Sequence, residues 1–463
     1  MTVTTDADDD GWSWEEGDCD DEDATVFPGA IETLGDGVDS DCDGGDGTSL
    51  PLAPYATLVS PSGAEWLQFG HALAVANVDA DEAAEVFVGS QWVSYAPIAA
   101  PFGAAVLFDG DPLVASGSWQ PSNGAGIFGQ GVAILAAESG AQLVILDAGQ
   151  AVWVLDPTAA SGVPSDVGAL LLERDAPDGL LPASRLAAFD VVADGDDDVV
   201  LECGTVDEWD AGLGSLCVLE GPVTEDRNLA DSDVVISGDR LGSGMHGADV
   251  DGDGANDLLA GADNAGDGAG AVYVFPGPLP PGEMDTSAAT ASWEGEQPGD
   301  WLGNLLTSAD LDGDGLEEVV GAAHGWPAND RFGRVYVLRA DAPKLADAGA
   351  VIDGDSAWQH LGGGLTSADL DGDGQDDQAV GSPAYYTIYP GRALVFFGPL
   401  QGSLSSADAD LSFVGEAPGD GAGWALSAGD VDGDGAPDLV IPAKHNDELG
   451  EEAGKVYVVP GLF

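Results

Sequence analysis

One segment recurs along the chain at a nearly constant spacing, and that period limits the fold more than any other feature. It reads LGNLLTSADLDGDGLEEVVGAA from Leu302, LGGGLTSADLDGDGQDDQAVGSP from Leu361, LGSGMHGADVDGDGANDLLAGAD from Leu241 and AGWALSAGDVDGDGAPDLVIPAK from Ala422. Fainter copies begin at Phe69 (FGHALAVANVDADEAAEVFVGSQ), Phe128 (FGQGVAILAAESGAQLVILDAG) and Ala187 (AAFDVVADGDDDVVLECG). Equivalent positions fall at Asn77, Ile134, Asp190, Asp249, Asp310, Asp369 and Asp430, with steps of roughly 57, 56, 59, 61, 59 and 61 residues. Within each period a short apolar strand enters an acidic loop and a second strand leaves it. A variable loop follows, then a strand of the GRVYVLRA, AVYVFPG or KVYVVPG type, then a fourth such as ATASWEGE. A helical solenoid would need apolar spacings of three and four over longer stretches, and these are absent. Four short strands repeated seven times predict an all-β fold, a seven-bladed β-propeller of four-stranded antiparallel blades over residues 49–463. Residues 1–48 precede it as a small, acidic, loop-rich segment expected to bind metal.

The acidic loops carry the chemistry. In the fifth repeat Asp310, Asp312 and Asp314 alternate, Gly313 and Gly315 permit tight turning, and Glu318 closes the run. Alternating carboxylates on such a loop converge on one point, and a cage of hard oxygens suits Ca2+ better than Mg2+ or a softer metal. The same set is Asp249, Asp251, Asp253 and Asp257, then Asp369, Asp371, Asp373 and Asp377, then Asp430, Asp432, Asp434 and Asp438. The loop at Asn77 keeps Asp79, Asp81 and Glu85 without the glycines, and the one at Asp190 keeps Asp194 and Asp198 with Val192 in third place. The repeat at Phe128 is expected to be metal-free. Position two is apolar (Val78, Val250, Leu311, Leu370, Val431), as expected of a side chain packed into the blade. An EF-hand would need a Glu at position twelve, where Ala260, Gly321, Val380 and Ile441 stand.

The Phe/Leu-Gly opening, the DxDGDGxxD loop and the GAA or GSP ending (Gly321, Gly381) resemble FG-GAP repeats, the blades of integrin alpha-subunit-type propellers. The resemblance implies a strand-loop-strand calcium site, about four to six Ca2+ ions on the propeller, and ligand engagement on the face opposite the metal loops. The N-terminal segment resembles the MopE-type metal-binding motif of surface copper proteins and other secreted bacterial proteins, through Asp18 to Asp21, Pro28 to Ala30, Glu32 and Asp36 to Gly44. One Cys usual in that motif is missing, and no His lies in the stretch, which argues against a copper centre, so oxygen ligands (Asp6, Asp8, Asp10, Asp18, Asp39, Asp41, Asp43) favour calcium there too.

Composition narrows the function. With 84 Asp plus Glu against 11 Lys plus Arg, the formal charge is −73, which excludes most nucleic-acid binders and disfavours anionic membranes. Six Ca2+ would still leave −61, and an Asp-rich surface with only three Lys is that of proteins from salt-rich surroundings. No apolar run is long enough to span a bilayer, and the first twenty residues show no secretory signal. Cys19, Cys42, Cys203 and Cys217 form two sequence-local pairs, Cys19 with Cys42 and Cys203 with Cys217, which fits an oxidising compartment. The histidines have neither metal nor triad spacing, and no nucleophile elbow or phosphate loop is present. The expectation is therefore a monomeric, non-enzymatic module, secreted or on the cell surface, for adhesion to or binding of an extracellular protein or glycan. The alternatives are a glycan-active propeller (lectin-like or polysaccharide lyase) and a purely structural surface protein.

Two geometric expectations follow. Turns alternate sides in a four-stranded meander, so the loops between strands two and three open opposite the acidic loops. They carry Trp92, Tyr95, Trp209, His324, Trp326, Arg331, Tyr385, Tyr386, Tyr389, Lys444 and His445, candidates for a ligand face. After KVYVVPG no fourth strand remains for the last blade, so the upstream ATLVS (Ala56 to Ser60) is expected to pair beside Val456 to Val459 and close the ring.

Overall fold

Frequent Gly and Pro cut the apolar runs into strands of two to nine residues. The computed structural model describes Cys19, Val26 and residues 48–51, 54–62, 65, 67–79, 81, 83–91, 103–110, 113–120, 127–148, 151–159, 161–166, 170–173, 185–203, 213–327, 330–384 and 389–461, and its strands form seven sheets. Each sheet is one blade, and the first blade is Phe69–Ala76, Glu85–Ser90, Ala104–Asp109 and Val114–Trp119, paired antiparallel in that order. The inner strands of successive blades touch, and Ser427–Gly429 of the seventh meets Phe69–Ala76 of the first. No helix among the described residues is long and apolar enough to cross a membrane.

The core is divided among the blade junctions. Between blades three and four, Val200, Leu216 and Val218 pack on Leu258, Ala260 and Phe275. Between six and seven, Ala379, Val395 and Phe413 meet Leu426, Leu439 and Ile441. A middle strand thus buries both faces, which is why Glu318–Ala322 and Asp438–Ala443 are buried at every residue and read as apolar runs without alternation. The glycines of the repeat mark where blades meet backbone to backbone. Gly303, at φ 88°, presents its carbonyl so closely to Gly261 of the preceding blade that a Cβ there would lie 1.9 Å from that oxygen.

The ring closes through the N-terminal side of the chain. Ala56–Leu58 pairs antiparallel with the third strand of blade seven, Ala56 opposite Val458 and Leu58 opposite Val456, and supplies the missing fourth strand. Thr48–Pro51 adds a second tie, pairing parallel with Leu411–Val414 at the outer edge of blade six. This cross-blade strand recurs. Arg227–Asn228, Gly282–Asp285 and Gly402–Ser405 each leave the link between strands three and four of one blade and pair parallel with the outer strand of the blade before it. The sequence pattern had not suggested these edge strands.

Cys203 and Cys217 form a disulfide with Cα atoms 5.7 Å apart, placed by the pairing of Asp198–Glu202 with Leu213–Leu219. Cys19 is also disulfide-bonded, while Cys42, its expected partner, lies outside the described residues. The first bridge encloses a short loop, so replacing Cys203 and Cys217 together by Ala is expected to cost about 2–3 kcal/mol. Denaturant melts of the oxidised protein and the double variant check this; equal midpoints would refute it.

Candidate metal centres and the opposite rim

Each acidic loop is organised by its own amides. In blade four, Asp249 accepts hydrogen bonds from Gly252 (2.8 Å), Asp253 (3.0 Å) and Gly254 (2.8 Å), and Gly252 and Gly254 adopt φ of 78° and 92°. Asp257, 1% exposed, accepts from Val250 at 3.2 Å and, through its other oxygen, from Gly277 at 2.9 Å. The closing acid thus anchors the loop to the base of the blade. Asp377 and Asp438 repeat this double anchor, with Leu370 and Gly398, and with Val431 and Gly461. The position-two side chains of these three loops, Val250, Leu370 and Val431, are buried, as is Leu311 of blade five.

Carboxylate oxygens converge in five loops. Ligand atoms lie within 4.8 Å of one another in Asp249, Asp251 and Asp257; Asp310, Asp312 and Glu318; Asp369, Asp371 and Asp377; and Asp430, Asp432 and Asp438. The fifth group is Asp79, Asp81 and Glu85 with Asp109, which sequence reasoning missed because Asp109 ends the third strand rather than standing in the loop. Asn77 donates its side-chain amide to the Asp81 carbonyl. The fifth positions Asp253, Asp314, Asp373 and Asp434 hold loop amides instead. In blade three, Asp190 accepts from Ala193 and Gly195 and Asp198 from Val191 and Val192, but Asp190, Asp194 and Asp198 do not form such a cluster. Asp6, Asp8, Asp10, Asp18, Asp39, Asp41 and Asp43 lie outside the described residues.

The donor sets fit a hard divalent cation. They contain only carboxylate oxygens, without His or Cys. Burial pushes the closing carboxyls up, Asp257, Asp377 and Asp438 to about 6 and Glu85 and Glu318 to about 7, and a nearby positive charge would favour their ionised form. Glu85 Oε1 and Asp430 Oδ1 are buried with no hydrogen-bond partner among the described residues, as expected of oxygens reserved for an ion. In blade five Arg339 pairs with Asp312 and Asp314 and supplies part of that charge.

Position eight laces the loops together. Asn256 donates to the Asp190 carbonyl at 3.0 Å, Asp376 accepts from the Asp310 amide at 3.2 Å, and Asp197 accepts from Ala136 at 2.7 Å. With Asp196, which accepts from Glu138, Asp197 holds the acid-poor loop of blade two, so several acids of blade three serve structure.

On the opposite face lie the loops between strands two and three and the links from one blade to the next. Trp92, Tyr95, Trp209, Tyr385 and Tyr386 fall outside the described residues. Trp326 packs beneath Arg334, whose Cζ sits 3.5 Å from the ring centroid, and bonds Glu296 at 3.2 Å. Lys444 is 4% exposed against the Trp424 ring, and burial holds its amine well below the usual lysine range. His445 contacts Glu452 at 3.5 Å and Gln68 at 3.3 Å. These three are therefore packed rather than presented. His324 stacks between Trp301 and His360, at 5.1 and 5.9 Å, and burial pushes it down to about 3. Tyr389 is 56% exposed. A cavity of about 440 Å³ opens at the axis, lined by His71, Gln91, Arg185, Asn304 and Trp424 among others, with no carboxylate among its described lining residues.

Sequence reasoning missed Trp301, Trp358, His360 and Trp424 because they lie in the blade-to-blade links. The signal was available: Gln68, Arg240, Trp301 and His360 each precede the Phe/Leu-Gly, and each has positive φ (45°, 53°, 59° and 54°), a backbone conformation uncommon for residues other than glycine.

Comparison with known proteins agrees with this architecture. The FG-GAP repeat matches residues 241–275, 302–338 and 422–459, and the MopE-type copper-binding family's metal-binding motif matches residues 18–46. Phosphatidylinositol-glycan-specific phospholipase D of Bos taurus is 33% identical over 183 residues, 37% of this chain and 22% of that protein. The Homo sapiens enzyme is 33% identical over 168 residues, 34% and 20% of the two chains. Integrin alpha-PS2 of Drosophila melanogaster is 29% identical over 255 residues, 51% of this chain and 18% of that protein. The matched part thus spans about a fifth of each relative's length.

Proposed function

We infer that this chain, a seven-bladed propeller of FG-GAP repeats with a MopE-type motif ahead of it, is a calcium-stiffened, non-enzymatic binding or adhesion module that acts outside the cell. The observation that carries the reading is the division between its faces. One bears five carboxylate clusters, and the other bears the exposed aromatics and a guanidinium stacked against two indoles. Calcium is favoured over Mg2+ because the carboxylate-rich loops can satisfy its larger oxygen shell. The Cys203–Cys217 disulfide favours an oxidising location. The partner is an extracellular protein or glycan.

A second reading, a propeller that serves a hydrolase, is favoured by the similarity to the phospholipase D enzymes. One experiment separates the two. The calcium-loaded chain is passed over immobilised glycans and extracellular matrix proteins, and in parallel is assayed for polysaccharide cleavage and for hydrolysis of phosphatidylinositol-glycans. Saturable binding without turnover is expected. Product release by the purified chain would overturn the non-enzymatic reading.

A further inference from the structure

Of the chain's 11 Lys and Arg, set among 84 acids, five of the ten described ones hold carboxylates: Arg227, Arg334, Arg339, Arg392 and Lys455. Arg331 differs. Its guanidinium lies over two indoles, with Cζ 4.7 Å from the ring centroid of Trp301 and 5.3 Å from that of Trp358, and its side chain forms no ion pair or hydrogen bond among the described residues. Arg331 is half-buried, and a guanidinium stacked on aromatic rings keeps its in-plane N–H donors for a carboxylate or sulfate.

The surrounding backbone fixes this arrangement. Trp301, Arg331, Trp358 and His360 all have positive φ (59°, 52°, 66° and 54°), a conformation that costs energy for such side chains. Two backbone bonds clamp the loop of blade five to the next link, from Trp358 to the Asp330 carbonyl at 2.8 Å and from His360 to that of Arg331 at 3.1 Å. Beside Arg331, Trp358 remains 48% exposed, and one blade further round Tyr389 is 56% exposed. They are the exposed large aromatics among the described residues, and both are on this rim.

We propose that the Trp301–Arg331–Trp358 stack is a recognition site for an acidic sugar within a largely neutral glycan, its carboxylate or sulfate taken by Arg331 and its ring by the exposed face of Trp358. The site names a ligand for the binding face and rests on that reading. Exposed flat rings suit pyranose faces, and a single fixed anion matches one guanidinium. The −73 charge of the protein repels a densely charged polyanion, so the acidic units are sparse along the glycan. An acidic peptide meets the same repulsion and gains less from the aromatic platforms.

The test uses the full chain in calcium, with calorimetry against a glucuronate-containing oligosaccharide, its carboxyl-reduced counterpart, a singly sulfated oligosaccharide and a polyglutamate peptide. The glucuronate or the sulfated probe is expected to bind and the reduced one to lose at least about tenfold, and which of the two binds identifies the anion. Arg331→Lys, which keeps the charge but loses the stacked fork, and Trp358→Ala are each expected to weaken binding about tenfold or more, with calcium-loaded melting temperatures unchanged. Equal binding of the carboxyl-reduced probe, or preference for polyglutamate, overturns the proposal. Glycan binding that survives both substitutions removes this site while leaving the binding module standing. Binding to none of the immobilised glycans and proteins, with these probes silent, removes both.

Discussion

Chelation is expected to lower the melting temperature of the whole propeller, and calcium to restore it. Each of the five clusters brings at least three carboxylates within 4.8 Å, so the metal-free loop holds like charges that a cation relieves. Binding to the folded state alone adds RT ln(1 + [L]/Kd), about 2.7 kcal/mol per site at a hundredfold excess. For a chain of this length each such site would shift the transition by about 3 °C. Two substitutions in blade four separate metal binding from scaffolding. Asp251 is exposed and accepts a hydrogen bond from the neighbouring Asp253 amide at 3.1 Å, so Asp251→Asn should remove most of one site's calcium increment and leave the EDTA melt almost unmoved. Asp257 is buried with each oxygen on a different amide, from Val250 and from Gly277. Asp257→Asn turns one of those acceptors into a donor, so it should cost about 1–3 kcal/mol in EDTA as well. Scanning calorimetry with and without calcium reads both effects. A melting curve indifferent to EDTA, together with no heat of calcium binding, would overturn the metal reading.

What the sequence disclosed was the local part. The period of about 59 residues, the acidic loops and the apolar second position are written within short windows, so the blades, four of the carboxylate clusters and the Asp79, Asp81 and Glu85 members of the fifth could be read directly. Contributions from neighbouring elements were not. Asp109 joins the fifth cluster from the far end of strand three, and Asp196 and Asp197, which look like metal ligands gone astray, clasp the loop of blade two. Aromatic residues misled for a related reason. Trp326 reads as a surface side chain, yet Arg334 covers its ring, while Trp301 and Trp358 shape the rim from links that looked like spacers. The cross-blade strands escaped because Arg227–Asn228 or Gly282–Asp285 is too short and too polar to show any alternation.

Removing residues 1–62 is expected to open the ring, whereas removing 1–47 should leave it closed. The longer cut takes both N-terminal strands. Without Ala56–Leu58, the third strand of blade seven loses its partner from Val456 to Val458; without Thr48–Pro51, Leu411–Val414 loses its parallel cover. Leu58, 2% exposed, sits in the junction formed by Val440, Val456 and Val458 with Phe69, Val86 and Val88, so its loss also leaves a cavity between blades seven and one. Burial of that side chain and several backbone bonds together amount to on the order of 5 kcal/mol. The effect spreads further, because in a ring each blade is held on both sides and breaking one junction exposes two faces at once. Bared strand edges recruit one another, so the longer truncation should associate as well as melt early. The shorter cut stops just before Thr48 and removes the acidic segment with its MopE-type motif, which adds no strand to any described sheet. Scanning calorimetry and light scattering on the two truncations, both in calcium, read the difference. Identical melting and identical monomeric mass for the two would mean that the propeller does not depend on its N-terminal strands.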